Sequence, residues 1–148
     1  MRVKMTLEDV LQGKTKGGVV TADESTLMRE AVKMMATNNF GALVITSEGR
    51  PAGIVTERDV LRQAAQGEGF LNKPVSEVMT RDIVVGRFSD DVEVAKRVMT
   101  DKRFRHMPIM QKGKLVGIVS IGDVVRSQLM TIEAEATYLR DYIRGEYG

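Results

Sequence analysis

The feature that most constrains this chain is an internal repeat. Shifted by 64 positions, residues 41–62 (GALVITSEGRPAGIVTERDVLR) fall on residues 105–126 (RHMPIMQKGKLVGIVSIGDVVR) without a gap. Gly49, Gly53, Ile54, Val55, Asp59, Val60 and Arg62 recur as Gly113, Gly117, Ile118, Val119, Asp123, Val124 and Arg126. Upstream, the same shift pairs Val20 with Val84, Ala31 with Ala95, Met35 with Met99 and Phe40 with Phe104. A further echo, LEDVL at 7–11 against VSEVM at 75–79, needs a shift of 68, so the first copy carries four extra residues, placed within KTKGG. Two copies are too few for a solenoid. They imply a pseudo-two-fold pair that buries sheets or helix faces against each other.

Each copy reads β-α-β-β-α. A short β-prone run (19–21 and 83–85) precedes an amphipathic helix (26–38 and 90–102). In the first copy Leu27, Ala31, Met34 and Met35 fall on one helical face. Asp90 with Glu93 suggests a capping-box start in the second. Two apolar strands joined by a glycine turn follow (42–46 with 52–55, and 107–110 with 115–119), and a second helix starts at Thr56 and at Ser120. The fold class is therefore α/β (α+β), with a first unit over 1–67, a linker over 68–74, a second unit over 75–130 and a helical extension over 131–148. That last helix is expected to run to Arg144. Its apolar positions Val125, Leu129, Ile132, Ala136, Leu139 and Ile143 are spaced 4, 3, 4, 3, 4, a heptad seam that suggests a homodimer. Folding back over the chain's own sheet or over residues 5–11 is the alternative.

Composition narrows the function. Among 148 residues there is no cysteine and one histidine, which removes disulfides, thiolate metal sites and cysteine nucleophiles. A net charge of +2, no tryptophan and 5% aromatics make nucleic-acid binding a poor fit. No apolar run is long enough to span a membrane, and no secretory h-region is present, so a cytoplasmic location is expected. No nucleophile–base signature stands out, so no catalytic residue and no catalytic cofactor is expected.

The chemistry concentrates at the repeated strand–helix junction, GIVTERD at 53–59 and GIVSIGD at 117–123. A hydroxyl opens a helix, where free N–H groups and the helix dipole favour phosphate, and a carboxylate three residues on can accept from a ribose diol. The same Thr/Ser-x-x-Asp spacing is a capping box, which stabilises a helix without any ligand. The basic run Lys102-Arg103-Phe104-Arg105-His106 has no charged counterpart in the first copy and could neutralise phosphates or serve a helix C-terminus. Lys14-Thr15-Lys16-Gly17-Gly18 is a weaker candidate, similar to a phosphate-cradling loop in composition but without the full P-loop pattern, and reads rather as a turn made by the insertion.

On these residues the chain resembles a tandem cystathionine-β-synthase (CBS) domain pair, or Bateman module, over about residues 5–130. The resemblance implies a non-enzymatic sensor that binds adenosine-containing ligands between the two copies. AMP is the first choice, with ATP, ADP or NAD as alternatives; S-adenosylmethionine is also known in the family. It implies a ribose role for Asp59 and Asp123, ribose or phosphate contacts for Thr56 and Ser120, and an adenine frame from Val20, Thr21, Val84 and Val85. Ala42, Arg58, Arg105, His106, Met107 and Pro108 complete the candidate set, with Arg105 and His106 expected to meet the phosphates of the ligand held by Thr56 and Asp59. Pro108 has no proline counterpart in Leu43-Val44-Ile45, so the two clefts need not be equivalent. The implied partners are the nucleotide, a second copy of the chain and an unidentified regulated protein. A structural or interaction module without nucleotide is the alternative.

Overall fold

The computed structural model describes residues 4–14 and 19–143. Most of the expected KTKGG loop and the far end of the last helix lie outside them. The chain folds as α1 (Leu7–Gln12), β1 (Thr21–Asp23), α2 (Met28–Asn38), β2 (Ala42–Ser47), β3 (Arg50–Thr56) and α3 (Glu57–Ala64). It continues through two 3-10 turns (Glu68–Asn72, Val75–Glu77) into β4 (Gly86–Arg87), α4 (Val92–Lys102), β5 (His106–Gln111), β6 (Lys114–Ser120) and α5 (Ile121–Ile143). Two three-stranded sheets result, β1-β2-β3 and β4-β5-β6, each with one parallel and one antiparallel pairing. This is the expected β-α-β-β-α layout, twice. No helix among the described residues is long and apolar enough to cross a membrane.

The hairpin turns explain why glycine recurs. Glu48 and Gly49, then Lys112 and Gly113, all have positive φ, at 51°, 79°, 51° and 76°. Two consecutive positive φ values make the two-residue turn whose twist matches the flanking strands, and glycine adopts the second without a Cβ penalty.

Three local expectations shift. The first strand of each unit is β1 at 21–23 and β4 at 86–87, not 19–21 and 83–85, because pairing starts at Thr21 with Val44 and at Gly86 with Ile109. Leu27 is the N-cap of α2 and 40% exposed, while Met28 is buried with Ala31 and Met35, so the apolar face is rotated by one residue. Asp91, not Asp90, caps α4, accepting from the Glu93 N–H; Asp90 instead accepts from the Arg87 N–H in the preceding turn.

The two segments that precede the units change places. Residues 5–8 are stitched to the second half: Leu7 N donates to Asp90 O (3.0 Å), Glu8 N to Phe88 O (3.1 Å) and Val92 N to Met5 O (2.9 Å). Residues 73–76 are stitched to the first half in the same pattern: Val75 N to Thr26 O (2.7 Å), Ser76 N to Glu24 O (3.3 Å) and Met28 N to Lys73 O (2.8 Å). Packing follows. Leu7 and Val10 join Val92, Met99, Met107 and Val119 in one core, while Val75 and Met79 join Met28, Leu43, Ile45 and Val55 in the other. Burial of each such aliphatic side chain contributes about 1.5–3 kcal/mol, so the exchange ties the halves together through their cores. The linker takes part: Phe70 is buried in the first core.

Candidate functional site

Both strand–helix junctions are reciprocal caps. Thr56 N donates to Asp59 Oδ2 (2.9 Å) and Asp59 N to Thr56 Oγ1 (3.3 Å); Thr56 Oγ1 also donates to Asp59 Oδ2 (3.1 Å). In the second copy Ser120 N donates to Asp123 Oδ2 (2.9 Å) and Asp123 N to Ser120 Oγ (3.0 Å). The capping alternative is thus realised. It fixes hydroxyl and carboxylate at the helix start through Oδ2. Thr6 and Asp9 make a third such box at α1, which the repeat did not reveal.

A cleft of about 420 Å³ opens at the second junction, between the halves. Asn39, Phe40, Gly41 and Ala42, at the turn from α2 into β2, form its first wall. His106, Ser120, Asp123 and Arg126 line the opposite side, and Lys14 enters from the end of α1. The walls meet closely: a Cβ on Gly41 would lie 3.4 Å from His106 Nε2 and 3.7 Å from the Glu57 carboxyl. Lys14 Nζ donates to Ile118 O at 2.8 Å and pairs with Asp123 Oδ2 at 3.0 Å, with both side chains largely covered.

These contacts set the titration of the site. Burial pushes the Asp123 carboxyl up, but the Ser120 N–H and Lys14 outweigh it and hold the group below its ordinary 3.8. His106 is pushed below 6.5, first by burial and then by Arg105; Asp123 and Glu57 oppose this, and Lys14 adds to it. At neutral pH the cleft therefore holds one carboxylate, a neutral imidazole and two cations, Lys14 and Arg126. Among the described residues no group of three or more acidic or histidine side chains is placed to hold a metal.

Of the candidate residues, Ala42, His106, Ser120 and Asp123 come together here. His106 lines the cleft of Ser120 and Asp123 as the strand partner of Ser120, and it starts β5 across from Gly41, whose carbonyl accepts from the Glu57 N–H beside Thr56. Arg105 is exposed, and its carbonyl accepts from the Ile121 N–H (2.9 Å). Arg58 is exposed in the first turn of α3. Met107 is 3% exposed in the second core, and Pro108 is buried in β5 opposite Ile118, so both belong to the scaffold of the site. Val20 and Val84 pack against the two cores, while Thr21 and Val85 are exposed. Sequence reasoning missed Asn39, Phe40, Gly41, Ile118 and Arg126, and it noted Lys14 only within a loop of phosphate-cradling composition. Arg126 carried a signal, since it recurs with Arg62 one helical turn after the motif aspartate. Lys14 carried only the composition of its loop, because it has no like residue in the second copy.

Comparison with known proteins agrees with this layout. The CBS domain family profile matches residues 14–66 and 75–130. A CBS domain-containing protein of Arabidopsis thaliana, CBSX3, described as mitochondrial, is 36% identical over 96% of this chain and 73% of its own length. The crystal structure of a CBS-domain protein from Agrobacterium tumefaciens superposes with a TM-score of 0.78 at 35% identity, covering 84% of this chain and 99% of that one. The CBS domain pair of protein MJ0100, solved in complex with 5′-methylthioadenosine and S-adenosyl-L-methionine, superposes with a TM-score of 0.74 at 25% identity, over 84% and 95% of the two chains. The repeat, the paired sheets and these matches converge: the chain belongs to the CBS domain family and carries two CBS domains.

Proposed function

We propose that the protein is a non-catalytic sensor that binds an adenine nucleotide, AMP first and ATP, ADP or NAD as alternatives, between its two CBS domains. The observation that carries this reading is the cleft at Ser120 and Asp123. A carboxylate suited to a ribose diol, a helix N-terminus and two cations converge there in a volume suited to a small ligand. The MJ0100 complex supports the adenosine class. Occupancy of a cleft built from both domains alters how they sit together, and that change passes to a regulated protein or to the chain's own assembly. Thermal melting tests this. A nucleotide at 100 times its Kd stabilises by about 2.7 kcal/mol, a rise of about 5–10 °C for a chain of this size. The Asp59→Ala/Asp123→Ala double variant should lose that rise while remaining folded. No rise with any of the four nucleotides would leave a structural or interaction module.

The assembly proposed is a homodimer. From Leu129 to Arg140 every residue of α5 is exposed, and Leu129, Ile132 and Leu139 of the heptad seam are 54–60% exposed. The foremost part of α5 packs on the chain itself, through Gln128 bonded to Lys96. Met130 and Thr131 border a groove with Met5, Asp9 and Val10, and the exposed seam positions support contact with a second copy. Sedimentation at tens of micromolar should show a dimer for the full chain and a monomer for a chain ended at Gln128.

A further inference from the structure

The Lys14–Asp123 pair sits where a ligand's ribose is proposed to bind, and among the described residues it has no twin in the first half. Shifted by 68, as the echo of α1 requires, Lys14 corresponds to Asp82, a residue of opposite charge that is exposed. The backbone bond differs as well. In the first half the carbonyl of Ile54 is taken by the Thr80 N–H at 2.9 Å; in the second, the equivalent carbonyl of Ile118 is taken by the Lys14 ammonium at 2.8 Å. A flexible charged side chain thus stands in for a main-chain bridge at the cleft floor. It also has somewhere to go. Lys14 borders a second groove of about 400 Å³ between α1 and α5, where the carboxylate of Asp9 lies.

We propose that Lys14 is the specificity-determining residue of this cleft, bridging Asp123 and Ile118 and passing to an anionic group of the incoming ligand. This rests on the adenosine reading of the cleft given above. A ribose diol that donates to Asp123 competes with the ammonium for the same carboxylate. The ammonium then needs another acceptor, and a ligand phosphate supplies one through a charge-assisted bond. A neutral nucleoside supplies none. A sulfonium ligand adds like-charge repulsion to Lys14 and Arg126. The cleft therefore selects a 5′-phosphorylated adenosine over neutral or cationic adenosine derivatives, and Asp82 leaves the first half without that filter.

Calorimetric titration with AMP and adenosine tests this in an Asp59→Ala background, which leaves the second cleft as the binding site. The Asp59→Ala protein should favour AMP over adenosine by about 10-fold or more, the usual scale of one charge-assisted bond. Adding Lys14→Met should bring the ratio towards one, mainly by weakening AMP. Adding Lys14→Arg should keep the preference. Lys14→Gln serves in place of methionine if circular dichroism shows the latter unfolded. An unchanged ratio on loss of the cation overturns the proposal. So does an Asp59→Ala protein that binds neither ligand; if the unmutated chain still binds AMP, the sensor reading survives that result through its first cleft. If the unmutated chain binds neither ligand, both fall together.

Discussion

The two halves share a motif and differ in what is laid against it. Gly53-Ile54-Val55-Thr56 and Gly117-Ile118-Val119-Ser120 end strands of the same length and start helices with the same reciprocal cap. Against the first lies the segment after residue 75, whose Thr80 forms a two-bond bridge with Ile54 (3.0 and 2.9 Å) and whose Met79 covers Gly53. Against the second lies the end of α1, where Leu11 covers Gly117 and Lys14 replaces the bridge. One half is sealed by main chain and the other by side chains. A duplicated binding motif thus diverges through its neighbours: the capping residues are held by helix geometry, while the exchanged segments are free to change charge and rigidity.

Adding one methyl group to each glycine measures that difference, and the effect should be the largest. A Cβ at Gly53 would lie 2.6 Å from Met79 Sδ and 2.8 Å from the Thr80 carbonyl oxygen. Thr80 cannot withdraw without breaking its bridge to Ile54. A Cβ at Gly117 would lie 2.7 and 3.0 Å from the two methyl carbons of Leu11, a side chain that can rotate away. Overpacking costs run to about 1–3 kcal/mol, so Gly53→Ala should fall at the upper end and Gly117→Ala near the lower. Urea denaturation of the two variants reads both. Equal losses, or a larger loss at Gly117, would break the contrast between a main-chain seal and a side-chain seal.

The glycines also show how far the sequence reaches. Their recurrence at a fixed shift revealed the repeat, the hairpins and the junctions, because turn conformation and close packing restrict the residue type locally. The β-α-β-β-α order followed from periodicity. Boundaries slipped where propensity and pairing disagree: Val19 and Val20 favour a strand, but pairing begins only at Thr21, where β2 supplies a partner. Met28 replaced Leu27 on the buried face because both are apolar and one residue of rotation separates them. The exchange of segments 5–11 and 73–79 was not legible, since a repeat shows likeness and not contact. The grouping of His106 with Asp123 follows from the β5–β6 pairing that sets His106 opposite Ser120, whereas the approach of Gly41 to His106 depends on how the two sheets face each other and was not legible. Lys14 lies outside any period and acts through one long side chain, and nothing in its neighbours in sequence marks its target 104 residues away.

The smallest expected effect sharpens the same comparison through pH. The chain has a single histidine and no cysteine, so between about pH 5 and 8 the only side chain whose ordinary pKa lies in range is His106. The repeat places Ala42 at the equivalent position of the first half, so the response belongs to the second cleft alone. The groups facing the imidazole pull both ways: burial and Arg105 favour the neutral ring, Asp123 and Glu57 the charged ring, and Lys14 the neutral one, with the balance below 6.5. The unfolded chain then takes up its proton at higher pH than the folded chain does. Stability is full above 6.5 and declines as pH falls through 6.5 towards the folded value. Asp123 does not confound this, because its own transition lies below 3.8. Urea midpoints at about pH 7.5 and about pH 5.5 should differ in that direction, and His106→Gln should remove the difference. Saturating AMP should weaken or reverse it, since a phosphate beside the ring favours imidazolium. A midpoint that rises on acidification without ligand would place His106 in a charged, paired state and overturn the description of the cleft as holding a neutral imidazole.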